Sequence, residues 1–341
     1  MLEIDNRTPF LAGISPGMDK HGVDWAHVAV KGTFDIVSGA AALPVSSEQV
    51  PLWTGDRHWG DPATSSIRYA SDLGPAKMGT DVALIGHAYA KRGRARVSDV
   101  TLQVGPLRKG VRVFGERRWV HAMLAWVPSD PPAEFDRIPL VWERAFGGRD
   151  ESDPDQKKRD FERRNPIGTG FAPSGSKARL EGLALPNLED PRSPVTKWKD
   201  VPPPACFGFI CPHWMPRSRF AGTYDAAWEK ERMPHLPSDF DERYHNAATP
   251  DLVATPHLAG GERVVVVGAS ADGDLSFSLP KANLFVTVWM RGRQSVLAPV
   301  LDTVAIEPDD RRVSLTWRAS LSCPRRFLQI EAVVVHLKTR P

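Results

Sequence analysis

A mainly β fold is predicted: an antiparallel, sandwich-like core, a long Pro-rich irregular middle and a few short helices. Three observations point there. Apolar and polar residues alternate along the first third of the chain, and the same pattern returns in the last part. Between them, residues 128–256 hold 19 of the 31 prolines. Alternation is the period of a half-buried strand, and proline lacks the N–H that a central strand or helix interior needs. The reading is one domain of 341 residues in two lobes: a strand-rich part over 1–127, the irregular part over 128–256, and a second strand-rich part over 257–341.

In 27–36, Val28, Val30, Phe34 and Ile36 share one face, while His27, Lys31, Thr33 and Asp35 share the other. That predicts a half-buried strand. Asp81 to Ala90 is almost wholly apolar and bounded by Gly79 and Gly93, as suits one central strand buried on both faces. Val100, Leu102 and Val104 alternate with Thr101 and Gln103. Leu107, Val111 and Val113 alternate with Arg108 and Arg112. Short Gly-containing links between such runs predict antiparallel hairpins.

Arg263 to Ala269 reads as a strand, followed by Asp272-Gly273, a favoured pair for a two-residue hairpin turn. Leu275, Phe277 and Leu279 then share a face. Pro308-Asp309-Asp310 predicts a turn in which proline pre-sets φ. Val313, Leu315 and Trp317 alternate with Ser314, Thr316 and Arg318, and Phe327 to Leu337 reads as a final strand. The middle resists both periods, with runs such as Val201 to Pro204 and Cys211 to Pro216. Short helices are predicted near 155–164 and 225–232. Its apolar residues, Phe207, Phe209, Ile210, Trp214, Phe220, Trp228 and Phe240, require it to fold onto something. Ordered irregular segments of this length are usually functional.

Composition bounds the class. Charged residues at 25% and hydrophobic residues at 41% are ordinary for a globular protein. The net charge of +3 does not by itself argue nucleic acid. Arg outnumbers Lys by 31 to 13, and there are 11 Trp, residue types that dominate binding hot spots. Three Cys leave one unpaired in any disulfide scheme, which fits a reducing compartment. The start Met-Leu-Glu-Ile-Asp-Asn is acidic where a signal peptide is basic, and no apolar run is long enough to span a membrane. The expected location is the cytoplasm, where the sequon Asn6-Arg7-Thr8 has no meaning.

Several motifs bear on chemistry. Gly13-Ile14-Ser15-Pro16-Gly17 matches the G-x-S-x-G elbow, but Pro16 has no N–H to give an oxyanion, so a turn is expected. Cys206, Cys211 and His213 have no standard zinc spacing and read as buried thiols near a histidine. Asp239, Asp241, Glu242 and His245 form a charged turn, or a divalent-metal or acid–base cluster. Gly168-Thr169-Gly170 lacks the frame of a nucleotide loop. Residues 91–118 carry nine basic and two acidic groups, and 225–242 carry six acidic and two basic. The basic stretch suits a solvated face, an interface for an acidic protein, or nucleic acid.

The longer motifs bear a resemblance. They are Asn6-Arg7-Thr8-Pro9-Phe10, Val30 to Asp35, Ser71 to Asp81 with Gly86 to Ala90, Trp142 to Gly148, Arg164 to Phe171, Leu185 to Glu189 and Ala221 to Asp225. The set resembles the bacterial domain-of-unknown-function 2169 family that accompanies type VI secretion genes, nearly end to end. One departure lies at Asn246 to Leu252, where the family's tighter run is spaced out. The resemblance implies a non-enzymatic adaptor or chaperone, without cofactor or metal. Its implied partners are a toxic effector protein and the secretion spike protein.

A large aromatic bracketed by Pro212 and Pro216 puts Trp214 on a stiff loop, either as a partner anchor at the surface or as a pin that holds the loop to the sheet, with Trp198, Arg217, Tyr224 and Trp228 as further partner-binding candidates. Arg92, Arg94 and Arg96 are expected to steer the partner electrostatically. The alternatives are a metal-dependent hydrolase using carboxylates in 225–245 and a nucleic-acid-binding module using 91–118.

Overall fold

The computed structural model describes residues 4–122, 124–150, 155, 159–172 and 180–337. The fold is mainly β, built on three larger sheets. The first has six strands, in the order Val253–Ala254, Thr80–Leu84, Val300–Glu307, Arg312–Ser322, Asp24–Asp35, Leu11–Met18. The second has five, in the order Leu188–Glu189, Leu107–Phe114, Val97–Val104, Arg263–Val267, Leu275–Ser278. The third has four: Ile4–Arg7, Ile330–Leu337, Leu284–Met290, Arg293–Leu297. The five-stranded sheet is wholly antiparallel. Elsewhere Thr80–Leu84 runs parallel to Val300–Glu307, and Ile4–Arg7 parallel to Ile330–Leu337.

The sheets cross the sequence boundaries. Asp24–Asp35 pairs along its length with Arg312–Ser322, and Val97–Val104 with Arg263–Val267. One hydrophobic cluster takes Val28 and Val82 from the first part, Phe207, Phe209 and Trp214 from the middle, and Val264, Val286 and Val333 from the last. A small second cluster holds Trp119, Leu180, Leu185 and Val195, with Trp198 packed against it.

Several expectations need correction. Asp24–Asp35 is buried on both faces, because the face of His27, Lys31 and Thr33 is covered by ordered irregular chain. Thr33 receives Gln49 and Val50 from the segment after it (Thr33 N to Gln49 Oε1 2.8 Å; Val50 N to Thr33 Oγ1 3.0 Å). Lys31 Nζ reaches Asp72 Oδ2 at 2.8 Å, and Asp72 also accepts from Thr316 Oγ1 at 2.9 Å. Next to this pair, buried Lys77 lies 2.8 Å from Asp81 and 3.4 Å from Asp302, while Arg318 binds Asp302 with two nitrogens. A buried charge needs its partner, and here each cation has one.

Gly13 to Gly17 is not a turn but part of the strand Leu11–Met18. That strand lies at a sheet edge, where one side of the backbone has no ladder for Pro16 to break. The run Asp81 to Ala90 is two strands. Thr80–Leu84 ends where Ile85 N still bonds Ile306 O, and His87–Tyr89 turns away to pair with Arg137–Pro139. Asp272-Gly273 sits inside a longer connection, 268–274, organised by Ser270. The two-residue turn with positive φ at both positions is at Arg291 (53°) and Gly292 (68°), joining Leu284–Met290 to Arg293–Leu297. Phe327–Gln329 is a 3-10 turn and the last strand begins at Ile330.

The hairpin of Val97–Val104 and Leu107–Phe114 and the turn at Pro308 to Asp310 stand as expected. So does the helix Ala226–Glu231, capped by the Asp225 side chain. Of the helix expected over 155–164, residues 156–158 lie outside the described residues. Within 159–164, Phe161 makes a bridge to Arg149 and a turn follows.

The middle is irregular but tied down. Trp142 Nε1 donates to Phe209 O at 2.9 Å, Ile210 N to Ala247 O at 2.7 Å, and Leu84 N to Phe207 O at 3.3 Å. Asn165 locks the motif Trp142 to Gly148 onto Arg164 to Phe171, its amide donating to Trp142 O (2.7 Å) and Phe146 O (3.0 Å). Gly147 has φ 153°, and a Cβ there would lie 2.1 Å from Asn165 O, so only glycine allows that approach.

Candidate partner-binding cleft

One cleft among the described residues has a volume of about 650 Å³. One wall is the start of Leu107–Phe114, with Arg108, Lys109 and Gly110. The opposite walls come from the irregular middle: Asp190 to Arg192, Pro203 to Ala205, Met215-Pro216 and Thr249 to Asp251, over a floor with Trp142 and Ile210. Five prolines line it, at 191, 203, 204, 216 and 250. Proline walls are stiff and present apolar surface with few donors, which keeps the cleft preformed.

Its charge is uneven. Arg108, Lys109, Arg164 and Arg192 line it against two acids, Asp190 and Asp251. Lys109 Nζ bonds Asp251 Oδ1 at 3.0 Å and Thr249 Oγ1 at 3.2 Å. Burial pushes the Asp251 carboxyl up, but the Lys109 charge and these hydrogen bonds outweigh it and hold the acid below its usual range. Arg192 forks onto Asp190 at 3.0 and 2.9 Å, and that hydrogen bonding lowers Asp190. Arg164 forks onto Glu162 and donates to Pro202 O at 3.1 Å. Arg108 is exposed, and no ion pair to it occurs among the described residues.

The residues picked from sequence as anchors do not converge here. Trp214 is 2% exposed, edge-to-face with Trp142 at 6.2 Å, its Nε1 donating to His213 Nε2 at 3.0 Å. The surface-anchor placement is therefore corrected, and the burial agrees with the alternative in which Trp214 pins its loop. Pro212 and Pro216 keep its backbone out of a strand, yet the loop folds its ring inward. Trp198 packs beside the small cluster around Trp119. Arg217 is half-buried and holds two carbonyls, Tyr244 O at 2.8 Å and Ile210 O at 2.9 Å. Tyr224 is exposed, and its ring meets Trp228 edge-on at 4.7 Å, while Trp228 Nε1 donates to His235 O. Arg94 and Arg96 both face Glu134, at 3.7 and 3.0 Å. The side chain of Arg92 lies outside the described residues. The basic stretch meets acids elsewhere too: Arg112 pairs with Asp99, and Arg117 with Glu189 in the interior.

The residues weighed for catalysis are engaged structurally. Asp239 accepts from Thr223 N and Oγ1, and Asp241 from Arg243, whose hydrogen bonds bring its pKa down to about 2. Burial takes the His245 pKa down to about 4. Burial also pushes the Cys206 and Cys211 thiols up to about 12. Ser15 Oγ donates to Leu73 O at 2.8 Å. Among the described residues no group of three His, Cys, Asp or Glu side chains is arranged to hold a metal, and no helix is long and apolar enough to cross a membrane.

The model of the family described as "Uncharacterized protein conserved in bacteria (DUF2169)" matches residues 21–318. The chain belongs to that family. No curated protein and no solved structure matches it. The matched span takes in both walls of the cleft and the Asn165-locked motifs. Sequence reasoning missed Arg192 and Asp190 as cleft residues. The available signal was Pro191, two residues past the Leu185 to Glu189 motif, which stops a strand beside a basic neighbour.

Proposed function

We propose that this protein is a non-enzymatic adaptor, or chaperone, that binds a type VI secretion effector and helps load it onto the secretion spike. On this reading it works in the bacterial cytoplasm before secretion. The observation that carries the proposal is the cleft: a proline-walled hollow lined by four cations and two acids. The motif resemblance supports the secretion assignment. The carboxylates of 225–245 serve as caps and ion pairs in the fold, which speaks against spending them on metal hydrolysis. The cations at 94, 96, 109, 112 and 117 each face an acid, which weakens the nucleic-acid reading. The test is co-expression with a toxin encoded beside this gene. The adaptor reading expects the two chains to elute together, and expects deletion of the gene to stop secretion of that toxin but not of other cargo.

A further inference from the structure

Leu107–Phe114 is paired unequally on its two sides. Val97–Val104 covers its whole length on one side. On the other, Leu188–Glu189 covers only Val113 and Arg112. Phe114 N donates to Asn187 O at 2.8 Å on that second side, and Asn187 Nδ2 donates to Phe114 O at 3.0 Å. Backbone groups point to alternate sides along an antiparallel strand. The N–H and C=O of Arg112, Gly110 and Arg108 therefore point the same way as those of Phe114.

The covering strand stops for a local reason. Continued in register, it would set Asp190 against Val111 and Pro191 against Gly110. Pro191 has no N–H to give the ladder. Instead Ser193 N closes a turn onto Asp190 O at 2.9 Å, and the chain leaves the sheet. The outward backbone groups of Arg108 and Gly110 have no backbone partner among the described residues. This open edge faces the cleft, which Arg108, Lys109 and Gly110 line. Gly110 is exposed, and an added Cβ would meet nothing nearer than 3.9 Å, so the sheet face is open there.

We infer that the cleft takes an extended, acidic segment of the effector, which adds a short strand to the free edge of Leu107–Phe114 at Arg108 and Gly110. The inference rests on the adaptor reading and names how the partner is held. Strand addition supplies main-chain hydrogen bonds, and the neighbouring side chains supply selectivity. At about 3.4 Å per residue, the open edge from Arg108 to Val111 accommodates roughly four residues of an added strand. Lys109, Arg164 and Arg192 each carry an acid, so Arg108 is the free charge at this edge, and it selects acidic side chains on that segment.

The probe is an acetylated, amidated hexapeptide alternating valine and glutamate, with the lysine analogue as control. Amide hydrogen exchange of the full chain reads the site. The acidic peptide should slow exchange at Arg108 and Gly110, and the lysine peptide should not. Gly110→Pro removes the outward N–H without breaking a bond to Val97–Val104, and should abolish binding at an unchanged melting temperature. Arg108→Glu should weaken binding roughly tenfold while the edge stays intact. Binding without protection at Arg108 and Gly110, or no protection at millimolar acidic peptide, would overturn the inference. So would an oligothymidylate of equal charge that displaces the peptide from wild type and from Gly110→Pro alike, since that is attraction by charge alone. The two layers separate with the effector itself. A complex that survives Gly110→Pro keeps the adaptor and removes the strand-addition site; peptide protection with no effector complex keeps the site and removes the adaptor.

Discussion

Arg318 binds Asp302 through two parallel hydrogen bonds, Nε to Oδ1 at 3.1 Å and Nη2 to Oδ2 at 3.0 Å, with both side chains buried in the six-stranded sheet. Lys77 adds a second cation to Asp302, and Asp81 a second acid to Lys77. Burial alone would raise the Asp302 pKa; the charges of Arg318 and Lys77 outweigh it and hold it well below the carboxylate range. Asp302→Asn leaves two buried cations sharing one acid, and should destabilise the fold by about 3–5 kcal/mol. Urea unfolding at neutral pH measures this. A loss below about 1 kcal/mol would mean that water reaches the network.

Acid should loosen the fold through histidine. His27 and His245 are both taken down to about 4, by burial first and then by nearby cations such as Arg318. Their folded pKa lies below the ordinary 6.5, so the unfolded chain binds the proton first. The stability they contribute is complete above about pH 6.5 and falls as the pH drops from there toward 4. The urea midpoint followed from pH 7.5 to 4 should decline across that window, and less steeply in His245→Phe. A flat profile down to pH 5 would contradict the burial of both rings.

Trp214→Ala should cost about 3–5 kcal/mol of stability, because it empties a fully packed site against Trp142. Tyr224→Ala removes an exposed ring and should cost roughly 1 kcal/mol or less. Thermal melts of the two variants separate a core role from a surface one. Equal shifts would contradict the placement of Trp214.

Arg94 and Arg96 share one exposed acid, Glu134. Reversing both to Glu should change stability by about 1 kcal/mol or less. It should slow association with an acidic partner and flatten the salt dependence of that rate. Stopped-flow association at two ionic strengths checks this. An unchanged rate would remove the steering role.

Much of the β pattern was legible where one face is apolar and the other polar, as in Val97–Val104 and Leu107–Phe114. It misled where the polar face is itself buried. Nothing local in His27, Lys31 and Thr33 says that Asp72 and Gln49 will cover them, because those partners come from irregular chain. Leu284–Met290, Arg293–Leu297 and Val300–Glu307 went unread, although Arg291-Gly292 carries the turn between the first two. Trp214 shows the same limit in the middle: proline spacing told that its backbone leaves the ladder, and only the packing with Trp142 tells which way the ring points. The cleft was half legible. Arg108 and Lys109 stood in the basic stretch, while Asp190 and Arg192 join them through a pairing of only two residues.

On the adaptor reading, this chain binds an effector protein. The direct measurement is size-exclusion chromatography with light scattering on the chain co-expressed in turn with each protein encoded beside its gene. The account predicts a stable complex whose mass is the sum of both chains, formed by the Ser15→Ala variant as readily as by wild type. Separate elution of the folded chain from every one of those proteins would contradict it.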